Sequence, residues 1–283
     1  MGLQKQGHKV HYANYSFSNL KEYDSERLSD VVVQVDHNTH LPNDTYFPEI
    51  HFSAWCHRTL KRKTPVFCFE KTGVQPLKHA YNLLHRKLNL DACLLIDGGI
   101  DGIFRGDEYG LGTPSMDSIS MIAANLSDIP LKHYAFTAFG SEGVNQEVCH
   151  SDALARTAEL IQNNGYFGVS ALVNVENETK LFVDACDFIF SKMPAHQHSN
   201  IVCSILSALR GDFGYVTVNE KTKIHPIWVS ALTNMYWFFD LDKAARLKLF
   251  YDDAVHTSTV EEMASTIEKY RPNPKTEQTR IPI

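Results

Sequence analysis

Between Ala92 and Asp117 the chain reads ACLLIDGGIDGIFRGDEYGLGTPSMD, and its charges and glycines crowd directly behind a short apolar run. Cys93 to Ile96 predicts a strand that stops at Asp97-Gly98-Gly99. A carboxylate at a strand end, followed by two residues without side chains, can meet a ligand together with backbone N–H groups. Asp97, Asp101, Asp107 and Glu108 could serve as general acid or base, hold a hard cation such as magnesium, or take a ribose hydroxyl. Arg105 could pair with them. Gly112-Thr113-Pro114 opens a helix, with Thr113 as N-cap and Pro114 as the first helical residue, and a helix N-terminus can receive an anion. Asp117, one turn further on, would compete with that anion. Each feature also has a structural explanation: a tight turn braced by Asp97, ion pairs with Arg105, and a plain helix cap.

Three other predicted strand ends carry similar material: Asn14-Tyr15-Ser16, Glu70-Lys71-Thr72-Gly73 and Gly140-Ser141-Glu142. Parallel strands bring their carboxyl ends to one rim, where sheets of this kind bind ligands. Asp97, Asp101, Asp107 and Glu108 are therefore the candidate catalytic residues. The candidate ligand-binding residues are Asn14, Ser16, Glu70, Thr72, Gly73, Gly98, Gly99, Arg105, Gly112, Thr113 and Glu142. No carboxylate spacing matches a known metal site, and the chain shows no Walker motif and no G-x-G-x-x-G, so no metal or cofactor is assigned. His196-Gln197-His198 has a spacing that could supply two metal ligands but reads first as an exposed loop pair. Cys149-His150 are adjacent, a poor arrangement for a nucleophile and its base.

The elements that must position these groups alternate. Val31–Val35, Val66–Phe69, Ala92–Ile96, Tyr134–Phe139 and Phe167–Val175 read as strands. Val74–Leu88, Ser151–Asn163, Asn177–Phe190 and Ser199–Leu209 read as helices, the first with Leu77, Tyr81, Leu84 and Leu88 on one stripe. Tyr215–Val218 reads as a short strand, and Ile227–Phe239, rich in aromatic residues, as core. Helices follow from Leu241 and from Thr259, the latter opened by a capping box towards Glu261 and Glu262. This alternation predicts an α/β, Rossmann-like three-layer fold with a mostly parallel sheet. Cys93 to Ile96, a continuous apolar run, is expected to be a central strand buried on both faces. One domain is expected over residues 1–271, with a polar tail over 272–283. Gly2 to Val10 resembles a helix end, its glycine cap and the next strand, as though the first strand of the fold were missing.

Composition sets limits. With 283 residues, 43% hydrophobic and 21% charged, the chain can bury a substantial core. A net charge of −6 argues against nucleic acid as a partner. The six cysteines are scattered singly, without a Cys-x-x-Cys pair. No signal peptide or membrane-length apolar run is seen, so a cytoplasmic location with no membrane partner is expected. The sequence assigns no oligomeric state.

The central block resembles a mainly microbial family of uncharacterised proteins, domain of unknown function 1152. The residues that carry the likeness are Leu95-Ile96-Asp97-Gly98-Gly99-Ile100-Asp101, Arg105-Gly106-Asp107-Glu108 and Leu111-Gly112-Thr113-Pro114. Asn14-Tyr15-Ser16-Phe17, Lys71-Thr72-Gly73-Val74 and the Gly140 to Glu142 turn add to it. The resemblance implies a Rossmann-like fold that opens with a glycine-rich strand-turn, which this chain lacks, and it implies no reaction. Two functions remain open. One is an enzyme acting on a small phosphorylated, nucleotide-like or sugar-like ligand; the other is a non-catalytic ligand-binding or protein-interaction module that uses the same rim.

Overall fold

Val66-Phe67-Cys68-Phe69 is four apolar residues in a row, and all four are buried in a strand with neighbours on both sides. This run meets the condition for a two-sided burial. In the computed structural model, which describes residues 2–23, 25–41, 46–108, 114–142 and 150–271, the first half of the chain forms α1 (Gly2–Lys5), β1 (Tyr12–Tyr15), β2 (Glu26–Arg27), β3 (Val32–Val35), α2 (Pro48–Leu60), β4 (Val66–Phe69), α3 (Val74–Leu88), β5 (Ala92–Gly98), α4 (Ser115–Asn125) and β6 (Leu131–Thr137). The second half adds α5 (His150–Gln162), β7 (Tyr166–Ala171), α6 (Asn177–Phe190), α7 (Asn200–Leu209), β8 (Gly214–Val216), β9 (Ile227–Val229), β10 (Met235–Asp240), α8 (Leu241–Arg246), α9 (Tyr251–Ala254) and α10 (Val260–Glu268). The protein is a mixed α/β structure with two compact units, Met1–Lys71 with Leu172–Ser199, and Thr72–Ala171 with Asn200–Ile283.

The first unit holds a four-stranded sheet in the order β1-β4-β3-β2, parallel between β1 and β4 and antiparallel elsewhere. Leu20, Val33, Val35, Phe47, Ile50, Val66 and Cys68 form its core. Trp55 of α2 packs with Ala185 of α6, and its indole N–H donates to Asp184 at 2.7 Å. The expected helix end at the start of the chain is present: Gly7 takes a positive φ of 91°, and the His8 N–H closes on Leu3 O at 3.1 Å. The strand after it begins at Tyr12, two residues later than expected.

The second unit holds a sheet in the order β5-β6-β10-β7 and a two-stranded ribbon of β8 and β9. β5 and β6 are parallel and joined through α4, a βαβ unit, while β10 runs antiparallel between β6 and β7. The sheets are thus mixed, and the expected mostly parallel sheet is corrected on this point. Ile227–Phe239, read as one block of core, divides into β9 and β10, and β10 runs antiparallel within a sheet that was expected to be mostly parallel. Its Phe239 stacks on Phe136 of β6, with ring centroids 5.5 Å apart, inside the layer covered by α4 and α8.

The placement of Cys93 to Ile96 is also corrected. β5 is an edge strand of its sheet, and its burial alternates: Leu94 is 41% and Ile96 57% exposed. CLLI and VFCF are equally apolar, but burial on both faces requires a strand on each side and a layer above and below. Within this sheet β5 has a partner on one side only, among the described residues.

Candidate functional site

Because β5 and β6 run in parallel, their carboxyl ends and the segments that follow share one rim. Asp97 is the next-to-last residue of β5. It is followed by Gly98, Gly99 and a single 3-10 turn at Asp101–Ile103. Asp117 lies in the first turn of α4, and Glu142 follows the end of β6. The glycines are what allow these acids to converge. A Cβ on Gly99 would lie 1.9 Å from Glu142 Oε1, and one on Gly102 would lie 2.1 Å from Asp97 Oδ2 and 2.6 Å from the Tyr134 hydroxyl. Carboxyl groups occupy the space where side chains would otherwise be.

Asp97 does not brace its own turn. Its Oδ2 accepts from the Tyr134 hydroxyl at 2.9 Å, across from β6. Glu142 Oε2 accepts from the Ile100 N–H and, at 3.1 Å, from the Asp101 N–H. Asp97, Asp101 and Asp117 each present an oxygen within 4.8 Å of the others, a spacing at which a hard cation could be held by oxygen ligands. Asp101 is buried, while Asp97 and Asp117 keep part of their surface open. Facing them is Lys248, 2% exposed, whose ammonium donates to Gly102 O at 2.6 Å and to Phe104 O at 2.9 Å.

Burial and crowding set the protonation of this cluster. Asp97 is pushed well above the usual carboxylate range, first by burial and then by Asp117 and Asp101. Asp117 is pushed up to about 7 by burial and by Asp101. Glu142 is raised by burial and by Asp101 and Asp97, against the pull of its bond from the Ile100 N–H. Lys248 is lowered to about 8 by burial, with the neighbouring carboxylates offsetting part of that shift. Carboxyl groups that still hold protons near neutral pH can act as acids, and can exchange those protons for a bound cation.

The structure therefore brings Asp97, Asp101 and Glu142 together, with Gly98 and Gly99 beside them. Gly98 lies against Ile201 of α7, whose side chain would be 3.1 Å from an added Cβ. Glu108 does something else: its two oxygens accept from the Arg105 and Gly106 N–H groups, both at 2.8 Å, and so it braces the loop. Asp107 lies 3.9 Å from Arg105 Nε as a loose ion pair. Gly112 and Thr113 lie outside the described residues, and α4 begins at Ser115 with Pro114 in the cap position, one residue later than expected. Thr72 and Gly73 are tied to the segment before α10, the Gly73 N–H donating to Ser258 O at 3.0 Å and the Thr72 hydroxyl to the same oxygen at 3.2 Å.

Asn14, Ser16 and Glu70 belong to the first unit. There Asn14 and Ser16 both donate to Glu49 of α2, and Glu70 pairs with Arg27 at 2.5 Å. His198 is structural: its ring stacks on Phe190 at 4.1 Å, and Nε2 lies 3.2 Å from two backbone carbonyl oxygens. His150 packs against Phe139, while Cys149 lies outside the described residues.

Sequence reasoning missed Tyr134, Lys248 and Glu49, and took Asp117 only as a competitor for an anion. Lys248 had a signal, as a lone cation within Leu247-Lys248-Leu249-Phe250. A single charge in an apolar run is either at a surface or committed to buried partners.

A family model described as a protein of unknown function, DUF1152, matches residues 16–271. The chain belongs to this family. No curated protein and no solved structure matches it. The DUF1152 match takes in every member of the acidic cluster, together with Tyr134 and Lys248. It leaves out Asn14.

Proposed function

We propose that this DUF1152 protein is an enzyme acting on a small phosphorylated, nucleotide-like or sugar-like ligand, with the rim formed by β5 and β6 as its reaction centre. The β5-α4-β6 unit then serves as the ligand-binding part of a Rossmann-like arrangement. One observation carries this reading: Asp97, Asp101, Asp117 and Glu142, from three separate segments, converge beneath a partly open surface with Lys248 as a cation among them. Gathering like charges out of water is unfavourable, and a turn or a helix cap does not require it. Sites that do chemistry are where such shifts collect.

Asp97, held by Tyr134, is assigned the role of acid or base. Asp101 and Asp117 offer open oxygens to hydroxyl groups of the ligand or to a divalent cation. A phosphorylated ligand would meet repulsion here unless a cation came with it, whereas a sugar-like ligand could donate its hydroxyls directly. The second reading, a non-catalytic binding module, is favoured by Glu108 and Glu142, which are already engaged with backbone N–H groups.

A thermal-shift panel of nucleotides, sugar phosphates and free sugars, each with and without magnesium or manganese, tests the site. Product formation followed by mass spectrometry then separates enzyme from binder. At least one class should raise the unfolding temperature of the parent, and Asp97→Asn should fold normally but lose that shift. A shift that survives Asp97→Asn unchanged would place the ligand elsewhere. Binding without turnover would favour the second reading.

A further inference from the structure

At the carboxyl end of β1, in the first unit, lies a buried acid that is not a member of the cluster described above. Glu49, in the first turn of α2, is 8% exposed. Its Oε1 accepts from Asn14 Nδ2 and, at 3.3 Å, from the Ser16 hydroxyl. Its other oxygen, Oε2, is sealed from solvent and has no hydrogen-bond partner among the described residues, and the same is true of Asn14 Oδ1. Two sealed acceptors on two side chains that already touch form an incomplete pair. Neither atom has room for contact with water, so a ligand or a bridging water does not explain them. A proton fits.

We infer that Glu49 and Asn14 form a neutral acid–amide pair. Asn14 Nδ2 donates to Glu49 Oε1, while Glu49 carries its proton on Oε2 and donates to Asn14 Oδ1. The pair joins the end of β1 to the start of α2 by two bonds, and it loosens when the proton leaves. An ionised Glu49 would set two acceptors facing each other in a place without water.

The surroundings agree. Burial pushes Glu49 up, and bonds from its own backbone N–H, from Asn14 and from Ser16 offset this only in part; among the described residues no cation acts on it. Among the described residues, the titratable groups facing it are the Cys68 thiol on β4 and the Tyr46 hydroxyl just ahead of α2. Both are raised by burial and then by Glu49, so both stay neutral around it. The sign follows from linkage. A carboxyl that holds its proton more tightly when folded stabilises the fold at low pH, and this contribution is lost as pH rises through its folded pKa.

Glu49→Gln tests the pair in the full chain, because a glutamine amide can make the same two bonds without titrating. Unfolding temperatures of parent and variant are compared from about pH 5 to pH 9. The variant should match the parent at the acid end and exceed it by about 2–4 °C at the alkaline end. Other raised carboxyls titrate in both proteins and cancel in the difference. A variant less stable than the parent by a constant or growing margin as pH rises would show Glu49 to be ionised, and would overturn the pair. Infrared difference spectra at neutral pH give a second check. The carbonyl band of neutral carboxylic acids should be weaker in Glu49→Gln than in the parent, the difference spectrum showing the loss of one such group, and equal band intensity in both proteins would also overturn it.

Discussion

Glu49 and Asp97 stand at comparable places, one beside the end of β1 and the other near the end of β5, and both strands have a parallel neighbour. Burial raises both carboxyls. Their company differs. Glu49 is sealed beside an amide and a hydroxyl, which suit a single neutral acid. Asp97 has Asp101, Asp117 and Glu142 around it, a buried lysine opposite, and partial access to solvent. A buried acid with suitable neutral partners strengthens a fold. A crowd of acids under an opening destabilises one, and in the proposed function a ligand or cation completes it.

The largest effect should come from removing Lys248, the one cation of the crowded site among the described residues. Lys248→Met leaves the Gly102 and Phe104 carbonyls without their donor and the acids without a counter-charge. Breaking a buried ionic arrangement in this way costs about 3–5 kcal/mol, to be read as a fall in the urea midpoint. A midpoint close to that of the parent would mean that the cluster does not depend on Lys248.

Asp117→Asn should act in the opposite direction, and its effect should depend on pH. The folded pKa of Asp117 is about 7, above its ordinary 3.8, so its unfavourable contribution is absent at low pH and grows as pH rises through that interval. The variant should therefore melt about 2–4 °C above the parent near pH 8, with the gain vanishing near pH 4. A gain independent of pH would separate Asp117 from the charge coupling.

The smallest effect is expected outside both sites. Ile96→Thr, on the exposed face of β5, should change stability by no more than about 0.5 kcal/mol in denaturant unfolding. A loss of several times that size would restore Ile96 to a buried core.

Local order was legible in the sequence. The apolar stripe of α3 placed that helix at Val74–Leu88, and α6 at Asn177–Phe190 likewise matched its expected span. Pairing was not legible, because it depends on which distant segment arrives alongside. Nothing in Met235–Asp240 says that it will lie antiparallel between β6 and β7. The same limit governs the site. Asp97, Asp101 and Glu142 could be found from carboxylates and glycines after strands. Tyr134 looks like any inward-facing strand residue, and Lys248 reaches the rim from a segment 146 positions beyond Gly102. Glu108, read as a candidate catalytic residue, braces its own loop, and a carboxylate that does so has the same sequence signature as one that meets a ligand.

Asp97, Asp117 and Glu142 form one cluster of mutually repelling carboxyls, each titrating above the ordinary carboxylate range. Carbon-detected NMR titration of the side-chain carboxyls in the full chain measures this directly. The prediction is a step near pH 7 for Asp117, with Asp97 and Glu142 also titrating above the ordinary carboxylate range and shifting when Asp117 is replaced by Asn. Independent titration of all three near pH 4, unmoved by Asp117→Asn, would contradict it.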